Sequence, residues 1–173
     1  MPHVKTIQRP HVRLPPPRSV DTGLDWGAAG WAGLAAGAAF VLIQTFASLV
    51  FGEGGSTAAV RRLASVALGE GVMSPDAPFP ALVYFAAAIV HIPLSLIYAR
   101  ILAALIHRMA TARALALGAL FGAGLYFVNY YAVSGLFPWF VSARGPAALV
   151  SHLAFGLLAA GIYKRLTRPQ PDF

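Results

Sequence analysis

Residues 81–106 read ALVYFAAAIVHIPLSLIYARILAALI, an apolar run without one acid and with a single base, Arg100, towards its end. At 1.5 Å of rise per residue, a helix of this length crosses the ~30 Å hydrocarbon core of a bilayer. Three more runs share that character, roughly 27–51 before it and 114–137 and 146–163 after it, and none holds Asp or Glu. Together they predict an all-α polytopic membrane protein, a four-transmembrane-helix bundle made of two hairpins. The domain reading follows: a Pro/Arg-rich tail over 1–24, a transmembrane domain over 25–165, and a C-terminal tail over 166–173.

Composition narrows the chemistry. The chain has 173 residues, 58% of them hydrophobic, with a mean hydropathy of +0.67. Four spans and their connections use most of that length, which leaves no room for a soluble catalytic domain. Without cysteine there are no disulfides, thiolate metal sites or thiol nucleophiles. The first run is longer than the 7–15 residues of a signal-peptide core, so it is read as a retained span.

The net charge of +7 is explained by position. Lys5, Arg9, Arg13 and Arg18 precede the first span, Arg100, Arg108 and Arg113 surround the connection of the second and third, and Lys164, Arg165 and Arg168 follow the fourth. Only Arg61, Arg62 and Arg144, of 13 basic residues, fall on the other side. The positive-inside rule then places both termini in the cytoplasm. Basic residues there also favour anionic lipid, and nucleic-acid binding is not expected.

The N-terminal segment holds Arg9, Arg13, Pro15, Pro16, Pro17 and Arg18 and few large apolar residues. It cannot fold alone, and Pro15–Pro17 favour the extended polyproline II form suited to a strap across a partner subunit. Thr22 is the expected N-cap of the first helix, with Asp25 three residues on. Trp26 and Trp31 follow as interfacial anchors.

The outside loop, 52–80, contains an amphipathic segment over 56–69. Val60, Leu63, Ala64 and Ala67 recur at helical spacing, Arg61 and Arg62 fall on the opposite face, and Gly69 ends the pattern. A short interfacial helix and a plain exposed loop both fit. Phe79, Tyr84, Phe85, Tyr130, Tyr131, Phe137, Trp139 and Phe140 form an expected outer aromatic belt, and Tyr98 and Tyr163 mark the inner one.

Small residues signal helix contacts. Gly30, Gly33 and Gly37 on the first span and Gly118 and Gly122 on the third give small-xxx-small faces, predicting that those two spans touch. A weak repeat accompanies them. Gly37 is followed by Gln44 and Gly122 by Asn129 at the same interval, and each of these spans is followed by one carrying a histidine, His91 or His152. Two hairpins of the same orientation would be related by an axis along the membrane normal.

Gln44, His91, Asn129 and His152 are the polar residues of interest inside the spans, with Gln44, Asn129 and His152 at roughly 9–14 Å below the outer surface. Pro93 is expected to kink the second span near His91. Three readings of the cluster stand. It is an interhelical hydrogen-bond network, a bis-histidine haem b site on His91 and His152, or a polar patch on a substrate or quinone path. Active ion transport lacks its usual intramembrane carboxylate, and no hydrolase or transferase motif appears. No enzyme activity and no resident cofactor or metal is therefore expected.

The last run, from Ser151-His152 through Phe155-Gly156 to Gly161-Ile162-Tyr163, resembles the final helix of small, uncharacterised four-span proteins of the bacterial inner membrane. The resemblance implies that location and no binding residues. The function expected from sequence is a non-catalytic accessory or assembly subunit of a larger membrane complex, respiratory or photosynthetic. The alternatives are a small transporter or channel and a haem- or quinone-binding redox protein.

Overall fold

The computed structural model describes residues 23–53, 57–74, 76–78 and 80–167. The tail residues Arg9, Arg13, Pro15, Pro16, Pro17 and Arg18 lie outside them, as do Thr22, Ser56 and Phe79.

Helix α1 (Trp26–Val50) starts where a side chain satisfies one of its orphaned donors: Ala28 N–H donates to Asp25 Oδ1 over 2.8 Å. Asp25 is therefore the N-cap, not Thr22, because its own carboxylate lies within reach of the first turn. Helix α2 (Ala58–Leu68) occupies the loop and ends at Gly69, whose φ of +85° suits only glycine without strain. Its apolar face, with Val60, Leu63 and Ala64, packs on Val83, Ala86 and Ala87 of α3 (Ala81–Ile106), which continues through Pro93.

Helix α4 (Thr111–Phe127) passes into a π-helical turn, Val128–Ala132, and a 3-10 turn, Val133–Gly135. A second 3-10 segment, Pro138–Ala143, leads to α5 (Pro146–Leu166). Among the described residues four helices are long and apolar enough to cross a membrane: α1, α3, the stretch Thr111–Gly135 and α5. The expected all-α four-span bundle is what forms, and the described residues contain no strand.

The lateral order is α3, α1, α5, α4, with the tightest packing between α1 and α5 and between α4 and α5. The expected contact of the first and third spans is not what forms. A Cβ on Gly33 would lie 2.8 Å from the Ser95 carbonyl oxygen and 2.9 Å from Ala99 Cβ, on α3. A Cβ on Gly118 would lie 2.5 Å from the Gly156 carbonyl oxygen and 2.8 Å from Ala160 Cβ, on α5. Gly37 likewise backs onto Ser95 and His91, and Gly122 onto His152 and Leu153. Each glycine face is thus spent within its own hairpin, where the absent side chain lets antiparallel backbones approach. Gly30 has no such role; its nearest neighbour is the Arg100 guanidinium, 3.9 Å from where a Cβ would stand.

These contacts establish a register between the two hairpins. Gly33 and Gly37 meet His91, Ser95 and Ala99; Gly118 and Gly122 meet His152, Gly156 and Ala160, at the same four-residue steps. By that correspondence Gln44 matches Asn129, Phe40 matches Leu125, and Leu94 matches Phe155.

Two aromatic expectations change. Tyr163 is 2% exposed and Tyr130 6% exposed, so both are core residues and not belt residues. Trp26, Trp31, Tyr84 and Phe85 remain on the outer surface.

Candidate functional site: a polar-walled cavity in the bundle

The four polar residues singled out from sequence all wall one cavity of about 320 Å³. Gln44 comes from α1, His91 from α3, Asn129 from the π-helical turn after α4 and His152 from α5. The rest of the wall is mostly apolar, and Arg62 of α2 closes one side. A volume at the low end of the usual range for small-molecule pockets, with a few convergent polar groups, has the general form of a ligand site.

The hairpin register explains why space exists here. Across the α1–α5 seam stand Phe40 and Phe155, which share an apolar cluster with Leu125 and whose rings also edge the cavity. The matching positions across the α4–α3 seam are Leu125 and Leu94, which are smaller. That second seam is only sparsely packed, and both leucines line the cavity. Leu94, 37% exposed, and Leu136, 78% exposed, carry the wall out to the apolar surface of the bundle.

A directed chain of hydrogen bonds crosses the far wall. Tyr98 donates its hydroxyl proton to Asn129 Oδ1 over 3.2 Å. Asn129 Nδ2 in turn lies 3.1 Å from His152 Nε2. His152 Nδ1 is 2.7 Å from the Ala148 carbonyl oxygen, which can only accept. Nδ1 must therefore carry the proton, which leaves Nε2 of the neutral ring to accept from the Asn129 amide. Sequence reading missed Tyr98 as a member, although it sits seven residues from His91 on the same helical face.

His91 is held differently. Its Nε2 donates to the Gly37 carbonyl oxygen over 2.8 Å, and Ser95 Oγ lies 3.4 Å from the same nitrogen. The Phe40 ring packs against both imidazoles, 5.4 Å from His91 and 4.9 Å from His152, centroid to centroid. An iron held by both Nε2 atoms would have to displace the hydrogen bonds that those nitrogens make to the Gly37 carbonyl and the Asn129 amide. Among the described residues no group of three or more histidines and carboxylates is placed to hold a metal ion.

Gln44 is 2% exposed. Its Nε2 donates to Ser48 Oγ over 3.3 Å, while its Oε1 is buried with no partner. Arg62 Nη2 donates to the Glu53 carbonyl oxygen over 3.0 Å, and its Nη1 is likewise buried without a partner.

The α2 arginines do not form the solvent face expected of them. Arg61, 8% exposed, turns inward and donates to the carbonyls of Val72 and Ala77 over 2.8 and 2.9 Å, tying α2 to the loop that follows it. The third arginine at this end, Arg144, donates to the Tyr130 carbonyl at 2.7 Å and to Ser134 Oγ at 2.8 Å, and lies over the Tyr131 ring. Glu53, just beyond α1, caps α5 from a distance: Ala147 N–H donates to its Oε1 over 3.3 Å. Neither role was readable from spacing, because the partners are remote in sequence.

Fold and site define a class, an all-α, four-span membrane protein with a polar-walled cavity inside its bundle. Beyond that class, no family model, no curated protein and no solved structure matches the chain.

Proposed function

We propose that this chain is a non-catalytic membrane protein that takes a lipid-soluble small molecule from the bilayer into the cavity between α3 and α4. The observation that carries the reading is the cavity itself: four polar residues from four spans converge on it, and its wall continues through Leu94 and Leu136 to the outer surface. A ligand could therefore arrive sideways from lipid without crossing water. In this reading the chain lies in a bacterial inner membrane with both termini cytoplasmic, as its ten-to-three sorting of basic residues and the character of its last helix favour. The cavity then lies in the outer half.

An accessory or assembly role in a larger complex rests on the N-terminal tail and on free small-residue faces. The tail lies outside the described residues, and Gly33, Gly37, Gly118 and Gly122 are consumed inside the bundle. Transport and quinone binding are both compatible with the cavity, as two fates of the same bound molecule.

The test uses the full chain purified in mild detergent, extracted with organic solvent and analysed by mass spectrometry beside the same extract of Leu125→Phe. A lipid-soluble compound retained in stoichiometric amount by the native chain and lost from Leu125→Phe supports the proposal. Identical bulk-lipid profiles from the two would overturn it.

A further inference from the structure

Most polar groups in the cavity wall are satisfied by the protein. Tyr98, Asn129 and His152 satisfy one another and the Ala148 carbonyl, and His91 binds the Gly37 carbonyl. Two atoms of cavity-lining residues are left over: Gln44 Oε1, which can only accept, and Arg62 Nη1, which can only donate and carries positive charge.

Buried polar atoms normally find partners, and an unpaired guanidinium nitrogen beside an apolar cavity is the costlier of the two. The charges nearby do not remove the demand. Arg61 and Arg144 are themselves cations engaged elsewhere. Glu53 gives Oε1 to the first turn of α5, where the helix dipole offsets its charge; its Oε2 is also buried without a partner and makes no bond to Arg62, and the residue does not line the cavity. Arginine prefers carboxylate and phosphate oxygens, which match its planar fork of donors.

We infer that the cavity holds an amphiphile with an anionic head group on Arg62, its apolar chain running between α3 and α4, and a hydroxyl or amide donor on that chain meeting Gln44. The inference rests on the small-molecule reading above and adds the chemistry of the ligand. Carboxylate and phosphate heads share that chemistry, and the ligand set below separates them.

The full chain in nanodiscs of zwitterionic phosphatidylcholine is titrated with three twelve-carbon amphiphiles: dodecanoate, dodecyl phosphate and the uncharged methyl ester of dodecanoate. At least one anion is expected to bind ten-fold or more tightly than the ester, and whichever is tighter identifies the head group. Arg62→Gln should abolish the preference and leave ester binding in place, whereas Arg62→Lys, which keeps the charge, should retain part of it. Among dodecanoates hydroxylated at successive positions, one should bind several-fold more tightly than the parent, and Gln44→Leu should erase that gain.

If acid and ester bind alike and both are lost in Leu125→Phe, the cavity reading stands and the anionic head is overturned. If no hydroxylated position improves binding, the role of Gln44 is overturned. If none of the probes binds, the orphaned atoms are served by water only and the inference fails.

Discussion

Tyr98 on α3 reaches Asn129 beyond the end of α4 with a 3.2 Å hydrogen bond across the one seam of the bundle that is sparsely packed. The phenol is half-buried, and its partner oxygen faces the cavity wall. Tyr98→Phe keeps the ring and removes the donor. The expected result is a loss of about 0.6–1.7 kcal/mol, the range of interhelical hydrogen bonds inside membranes, read from unfolding in mixed detergent micelles. Stability equal to the native chain would show that the seam is not held by this bond.

The glycine contacts make a sharper test. A Cβ at Gly156 would drive into the Gly118 backbone, and one at Gly122 into the His152 backbone. Backbone cannot rotate away as a side chain can, so Gly156→Ala and Gly122→Ala should each cost about 1–3 kcal/mol or more by forcing the helices apart. Gly124→Ala, on the same helix as Gly122 but facing open space, should be neutral or slightly stabilising. Equal melting temperatures for Gly122→Ala and Gly124→Ala would refute the assigned register.

The fold is legible in sequence because a span is a local property: length, apolarity and missing acids can be read from 81–106 without knowing its neighbours. The membership of Gln44, His91, Asn129 and His152 in one layer is legible too, since helix rise converts residue number into depth. What cannot be read is azimuth. Spans one to four expose apolar residues to lipid on one side and bury apolar residues on the other, so hydropathy does not say which face meets which helix. Hence sequence pairs the glycines across the wrong spans, places Tyr130 and Tyr163 in belts, and misses the inward turn of Arg61. The long-range partners of Arg144 and Glu53 depend on chain folding and leave no periodic trace.

The internal register predicts how to close the cavity. Phe40 and Phe155 stand at the tightly packed α1–α5 seam and edge the cavity from there, and their counterparts at the sparsely packed α3–α4 seam are Leu125 and Leu94. Leu125→Phe adds a ring where space exists. The empty protein should therefore gain about 1 kcal/mol from added apolar burial, seen as a higher unfolding midpoint in ligand-free detergent. The reverse change, Phe155→Leu, opens the tight seam and should cost about 1 kcal/mol or more. A Leu125→Phe protein that is markedly less stable would mean that the seam is already full.

Glu53 and Gly145 provide a coupled test of the remote cap on α5. Ala147 N–H donates to Glu53 Oε1, and a Cβ on Gly145 would collide with that same carboxylate. Glu53→Ala removes the acceptor and should cost about 1 kcal/mol, as the loss of an N-cap does. Gly145→Ala should cost a similar amount in the native background, because the new methyl displaces the carboxylate from Ala147. In the Glu53→Ala background the methyl has nothing left to displace, so Gly145→Ala should then be close to neutral. A coupling of about 1 kcal/mol in this double-mutant cycle is the expected signature of one shared contact. Strict additivity of the two substitutions would show that the carboxylate does not sit over the start of α5.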